Sequence, residues 1–294
     1  MPSSLPHLTA LIKLLGDDHS VIVETVRTKL IDLGAEAAPL LGQAAQSHED
    51  PKVRVEAKGI LEKFRLADLV KEWKQMAPAP EDEFDLERGV FLLAKVSSGS
   101  LDGVGFKVRL DELAQRARPL LQKAAAPMDQ ILLLNEFLFE KEKFRGNWTD
   151  YFDPRNSFLN EVLDRKLGIP ISLSVLYLLI GKRLGLALHG VGIPGHFMLK
   201  HLDGAKESYI DPFHEGRILS RADCVEFIVE AGYPYQVSFL KAVGSREILA
   251  RMVRNLILIY TERQEEVLLQ TLHIFLESLF PGNSFRPSID EAFG

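Results

Sequence analysis

Two side chains fifteen positions apart, His196 and Asp211, carry the most direct chemistry in this sequence. An imidazole accepts a proton near neutral pH, and a carboxylate bonded to it fixes its tautomer and orientation. The two flank Asp203-Gly204, a dipeptide that favours a two-residue hairpin. The spacing therefore predicts adjacent strands, with His196 and Asp211 as hydrogen-bond neighbours. Such a pair needs a nucleophile, and the candidates open the apolar run after Gly168-Ile-Pro170-Ile-Ser172-Leu-Ser174. Pro170 suits the first turn of a helix, whose free N–H groups would face a cleft. Ser172 comes about 200° further round such a helix and points away from that face. Ser174 returns to the face one turn deeper, where its hydroxyl is expected to bond the helix backbone.

Other chemistries are weaker. His189, His196, His201 and His214 with Asp211 could recruit a metal, but His196 and His201 have opposite parity on one strand and face opposite sides. No metal is expected. Gly190-Val-Gly192-Ile-Pro-Gly195 matches a dinucleotide-binding pattern, yet its third glycine runs into His-Phe-Met-Leu-Lys-His, a strand pattern where the motif requires a helix. The glycines are read as turn and close-approach positions, and no cofactor is expected. Cys224, the single cysteine, is read as a small core residue.

Several elements must position the pair. Residues up to about 66 are helical, and Asp18-His-Ser-Val21-Ile-Val23-Glu24 resembles Asp50-Pro-Lys-Val53-Arg-Val55-Glu56, each with an acidic residue in the N-cap place. Stacked HEAT-type units and an ordinary helical bundle both fit this spacing. Residues 77–83, with two prolines and three acids, read as a linker. Helical patterns follow over residues 86–96, 110–125 and 128–143. Residues 144–156 read as an ordered loop, in which Tyr151, Asp153 and Asn156 either shape a cleft beside His196 or satisfy the loop backbone; Asn160 is read the same way. A helix spans 170–184 and stops at Gly185. Strands are expected at 186–191, 195–201 and 208–211, then helices at 248–262 and 265–279 and a tail from Pro281 with little periodicity.

At this point the motifs Phe144-Arg-Gly146-Asn147, Tyr151-Phe-Asp153-Pro-Arg-Asn156-Ser157-Phe-Leu-Asn160-Glu-Val-Leu, Gly168-Ile-Pro170-Ile-Ser172-Leu-Ser174, Gly195-His196-Phe197 and Asp211-Pro212-Phe213 together resemble the bacterial SirB family. That family belongs to the transglutaminase-like superfamily. The resemblance covers residues 84–219, with tetratricopeptide-like helices after it and the HEAT-like region before it. It implies a papain-like order, in which a cysteine at a helix N-terminus is followed by His and Asp on adjacent strands. Laid on this chain, the superfamily's Gly-x-Cys motif puts Pro170 in the nucleophile's place. The resemblance thus implies a relict triad of Pro170, His196 and Asp211, and a pseudoenzyme that binds a protein or peptide through its cleft and flanking helices. The alternative is a serine-dependent hydrolase or acyltransferase using Ser174 or Ser172.

Composition sets the outer limits. The chain has 294 residues, 46% hydrophobic and 26% charged, as a globular protein does. Its formal net charge of −6 lacks the basic footprint of a nucleic-acid binder. The most apolar run, residues 171–180, is broken by two serines and is too short to span a membrane, and the first fifteen residues lack a secretory n-region. A cytoplasmic protein is expected. The fold class is α+β and mainly helical: a helical region over residues 1–76, a transglutaminase-like core with a small antiparallel sheet over 84–219, and C-terminal helices over 220–294.

Overall fold

The computed structural model describes residues 5–204 and 206–281, so the tail after Pro281 lies outside the described residues. The chain divides into two units, residues 1–71 and 72–294, and the division falls inside one long helix.

The first unit holds helices α1 (Leu5–Leu14), α2 (Ser20–Leu33) and α3 (Ala38–Ser47), and most of α4 (Pro51–Met76). Its core gathers Leu8, Ile12, Leu15, Val26, Leu30, Leu41, Val53 and Ile60. Asp50 caps α4 as expected, accepting from the Lys52 amide at 2.8 Å, with Pro51 at the first helical position. Asp18 does not play the matching part at α2, which starts at Ser20. Its carboxylate takes the Lys52 ammonium at 2.6 Å instead, while Asp17 accepts from the His19 amide. Local likeness between the two segments does not extend to their caps.

In the second unit, the segment expected to be a linker is held in place. The Arg246 guanidinium donates to the carbonyls of Ala77 and Ala79, and Glu81 accepts from the Arg246 amide at 3.2 Å. The end of α4 is anchored by Trp73, which stacks on Phe275 with ring centroids 3.9 Å apart and donates from its indole to the Phe275 carbonyl. Helix α5 (Leu86–Ala94) follows an Asp85 cap. Helix α6 (Gly103–Leu121) begins earlier than the apolar period implies, because the Asp102 carboxylate accepts from the Val104 and Gly105 amides and starts the helix there. The helix expected over 128–143 splits into α7 (Pro127–Asn135) and a π-helical turn, Glu136–Lys141.

Three short strands carry no signal in the sequence, and two of them pair apart from the main sheet. Strands β1 (Arg145–Gly146) and β2 (Leu167–Gly168) form a parallel pair on either side of residues 147–166, which include α8 (Leu159–Arg165). The main sheet has four antiparallel strands in sequence order: β3 (Leu188–Ile193), β4 (His196–Asp203), β5 (Lys206–Asp211) and β6 (Arg217–Leu219). The β4–β5 hairpin closes at Asp203↔Lys206, with Gly204 at φ +60° as the turn demands.

Side-chain alternation gives β4 two faces. Met198 joins Val191, Tyr209, Cys224 and Ile228 in a core under helix α10 (Arg221–Glu230). The opposite face meets helix α9 (Pro170–Leu184), where Leu188, paired with His201, lies against Gly181. Helices α11 (Ser245–Glu262) and α12 (Glu266–Leu279) pack on each other, and α11 also packs on α5 and α9. The architecture is α+β and mainly helical, as expected. No helix among the described residues is long and apolar enough to cross a membrane.

Candidate functional site

Helix α9 begins as the sequence dictates. Ile169 is its N-cap, Pro170 stands at the first helical position, and Gly185 ends it at φ +78°. The two serines near its start are both buried and both committed to backbone. Ser172 Oγ donates to the Asn156 carbonyl at 2.6 Å and accepts from the Ile169 amide at 3.0 Å, which joins the 3-10 turn Pro154–Asn156 to the helix start. Ser174 Oγ lies 3.4 Å from the Phe197 carbonyl, its one acceptor, so it reaches a strand and not the helix backbone expected for it. Neither hydroxyl is hydrogen-bonded to His196.

His196 and Asp211 come together with His196 Nε2 2.8 Å from Asp211 Oδ2. They are not directly opposite. Leu199 pairs with Ile210, so continuing that register sets Asp211 across from Met198, one diagonal step from His196 on the same face. That face is the one under α10, and the His196 ring sits 5.3 Å from Phe227. Of the α9 serines, Ser174 reaches β4, at the Phe197 carbonyl.

A third residue completes the arrangement. Directly after β5 the chain tightens into a 3-10 turn, Pro212–His214, with Glu215 and Gly216 at positive φ. This turn brings His214 Nδ1 to 2.7 Å from the same Asp211 Oδ2, while Asp211 Oδ1 accepts from the amides of Phe213 and His214. One buried carboxylate thus bridges two imidazoles. Burial opposes the charge on Asp211, but the bonds from His196 and His214 outweigh it and hold the carboxyl well below the usual carboxylate range. The same bond raises the His214 pKa against partial burial and the nearby charge of Arg217. From behind, Asn135 Nδ2 donates to the Gly216 carbonyl at 2.7 Å, and the Tyr177 hydroxyl bonds Asn135 Oδ1 at 2.9 Å. The turn that carries His214 is therefore fixed by α7 and α9.

Aromatic rings rim the cluster. Trp148, 65% exposed, lies 4.3 Å from Phe213 and 5.0 Å from His214, and Tyr151 meets Phe213 edge-on. Phe152 beside it is 53% exposed. Gly146 lets Phe213 in: a Cβ there would stand 2.6 Å from the ring. The other loop residues singled out in the sequence work inside the loop. Asp153 pairs with Arg155 and Arg165, and Asn156 bonds the carbonyls of Asp150 and Tyr151 and accepts from Asn147. Asn160 is buried, with its amide nitrogen toward Ser97. Asp153 and Asn156 hold the loop, Asn160 makes its contact outside it, and Tyr151 touches the rim of the cluster.

The glycine-rich run serves packing and turns. Gly192 leaves room for the Arg251 guanidinium, which donates to the carbonyls of Ile193 and His196, and Gly195 turns β3 into β4 at φ +75°. Arg251, Pro194, Phe197 and Tyr233 line a cavity of about 340 Å³ beside this turn. Cys224 is buried under the sheet, where burial and the charges of Asp223 and Asp211 push its thiol up to about 12.

Of the histidines weighed for a metal, His189 is exposed on β3 and His201 is buried on the α9 face. His196, Asp211 and His214 are the ones that converge, their candidate ligand atoms all within 4.8 Å of one another. Strand parity could separate His196 from His201, but it carried no information on His214, which lies beyond the strand end.

Residues 105–254 match the family described as the transglutaminase-like superfamily. A UPF0162 protein of Xylella fastidiosa is 30% identical over 202 residues, which is 65% of this chain and 70% of that one. A UPF0162 protein of Vibrio cholerae is 30% identical over 141 residues, 48% of this chain and 52% of its own. F-box only protein 21 of Homo sapiens is 36% identical over 132 residues, 42% of this chain and 20% of its own. No solved structure matches.

Proposed function

The chain belongs to the transglutaminase-like superfamily, and from that premise we propose that it is a non-catalytic member, a binding module for a protein or peptide partner. One observation carries the reading. The hydroxyls that follow Pro170 on the helix, Ser172 and Ser174, already serve backbone carbonyls, and Pro170 itself, which the resemblance lays on the superfamily's nucleophile position, has no group that could attack. Serine catalysis needs a hydroxyl at about 2.6–3.2 Å from its general base. Freeing Ser172 for that purpose would remove the bonds that start α9, and freeing Ser174 would require movement through a close-packed interior.

The rim of the cluster supports binding. Trp148 and Phe152 are large exposed aromatics on a loop whose backbone is held by Asp153, Asn156 and Asn147. Exposed aromatics on a held loop bury much apolar area on contact at low entropic cost, as interface centres do. In this reading residues 1–76 form a HEAT-like region, residues 84–219 the core, and α11 with α12 a tetratricopeptide-like pair, in a cytoplasmic protein of the SirB type.

The test has two arms. A fluorophosphonate probe should leave the folded chain unlabelled; stoichiometric labelling that Ser174→Ala abolishes would overturn the reading. Peptides selected from a random displayed library on the full chain should bind a Trp148→Ala/Phe152→Ala variant at least about tenfold more weakly, a loss of about 1.4 kcal/mol. Failure to select converging peptides, or peptides indifferent to both changes, counts against it.

A further inference from the structure

We propose that His196 Nε2, Asp211 Oδ2 and His214 Nδ1 form a binding site for one divalent first-row transition-metal ion. Two imidazole nitrogens and one carboxylate oxygen are a donor set suited to zinc, cobalt, nickel or ferrous iron, in contrast to the all-oxygen shells of calcium and magnesium.

The three atoms already converge. Both ring nitrogens point at the same carboxylate oxygen, at 2.8 and 2.7 Å, and all three atoms lie within 4.8 Å of one another. Metal–ligand bonds of about 2.0–2.2 Å require N···O edges of about 2.9 Å in an octahedral site and about 3.4 Å in a tetrahedral one. An octahedral ion therefore opens the two observed edges by about 0.1–0.2 Å and a tetrahedral one by about 0.6–0.7 Å; rotation of the partly exposed His214 ring widens its own edge, and a small shift of the His196 ring or the Asp211 carboxylate widens the other. The hydrogen that each ring shares with Asp211 has to leave the ligating nitrogen. Each imidazole then binds as the neutral tautomer protonated on its far nitrogen, Nδ1 in His196 and Nε2 in His214.

The surroundings have the form that metal sites use. Asp211 Oδ1 is fixed by two backbone amides, which aim Oδ2 at the rings. Phe213 and Phe227 give the site an apolar shell. Asn135 and Tyr177 brace the turn from the side away from solvent. His214, with its side chain 36% exposed, leaves the approach open beneath Trp148. Three protein ligands leave at least one coordination position for water or a donor atom of a bound partner. This inference does not rest on the non-catalytic reading, and metal binding is scored by assays separate from the covalent probe.

The chain carries two tryptophans, and the Trp148 ring is 5.0 Å from His214 while Trp73 is buried against Phe275. Paramagnetic Co²⁺ in the site should therefore quench Trp148. The full chain, stripped with EDTA and dialysed, is titrated with Zn²⁺ by calorimetry and with Co²⁺ by absorption and tryptophan fluorescence. One equivalent should bind with Kd of about 10 μM or tighter, with visible Co²⁺ bands and quenching that Trp148→Phe removes without loss of binding. His214→Ala, whose fold is checked by circular dichroism, should weaken both ions at least thirtyfold, and exposed His189→Ala should not. No saturable binding of either ion below about 100 μM, or binding unchanged in His214→Ala, would overturn the proposal.

Discussion

Replacing Asp211 with Asn keeps the shape of the side chain and removes its charge. The amide oxygen of the variant can still accept from the Phe213 and His214 amides, so the turn keeps those contacts. The other terminal atom becomes a donor, and both imidazoles lose a charged acceptor. A hydrogen bond to a charged group contributes about 1.5–3 kcal/mol. The bond to His196 is buried at both ends and counts in full. The bond to His214, whose side chain is 36% exposed, is discounted toward the roughly 0–1 kcal/mol of a solvent-exposed pair. The expected loss of stability is therefore about 1.5–4 kcal/mol near pH 6.

That loss should depend on pH in a defined direction. His214 titrates higher in the folded chain, so its contribution is complete below its unfolded value of about 6.5 and fades as pH rises through the folded value. Asp211 titrates lower, so its contribution is complete above about 3.9 and is lost as pH falls through the folded value. The gap between wild type and variant is thus widest from about pH 4 to pH 6.5 and narrower at pH 9, where the His214 contribution has faded. Urea unfolding with EDTA present, followed by tryptophan fluorescence, measures it; both tryptophans lie in the second unit. A loss under about 1 kcal/mol, or one equal at pH 6 and pH 9, would refute the account of the carboxylate as a charged bridge.

Gly216→Ala should destabilise the same unit by about 2–4 kcal/mol, because a side chain at φ +79° is strained and its Cβ would stand 2.4 Å from the Asn135 side chain; a urea midpoint matching wild type would contradict it. Cys224, buried and with its thiol pushed up to about 12, should resist iodoacetamide at pH 8 in the folded chain and react at the rate of unfolding in urea. Rapid alkylation of the native protein, read by mass spectrometry, would place the thiol outside the core.

Local chemistry made much of the core legible. Pro170 at a helix start, Gly185 at its end and Gly204 in the β4–β5 turn act through the backbone of their own few residues, and each stands where its type implies. The same short-range logic joined His196 to Asp211, since a tight hairpin leaves little freedom over fifteen residues. It failed where the signal was too short or the partner too distant. Strands β1, β2 and β6 have two or three residues each, too few to show a period, and exist because neighbouring backbone offers them hydrogen bonds. Asp18 reads as a cap but is drawn to Lys52, a charge that only the fold brings near. Beyond the local bonds of Ser172 with Ile169, the carbonyls that Ser172 and Ser174 reach are sixteen and twenty-three residues away, so helical spacing alone could assign them a face but not that acceptor. Above all, the place of His214 was decided by tertiary structure. Asn135 and Tyr177, from helices far back in the chain, hold the turn after β5 so that a second imidazole meets the carboxylate, and no periodicity within residues 211–216 encodes that.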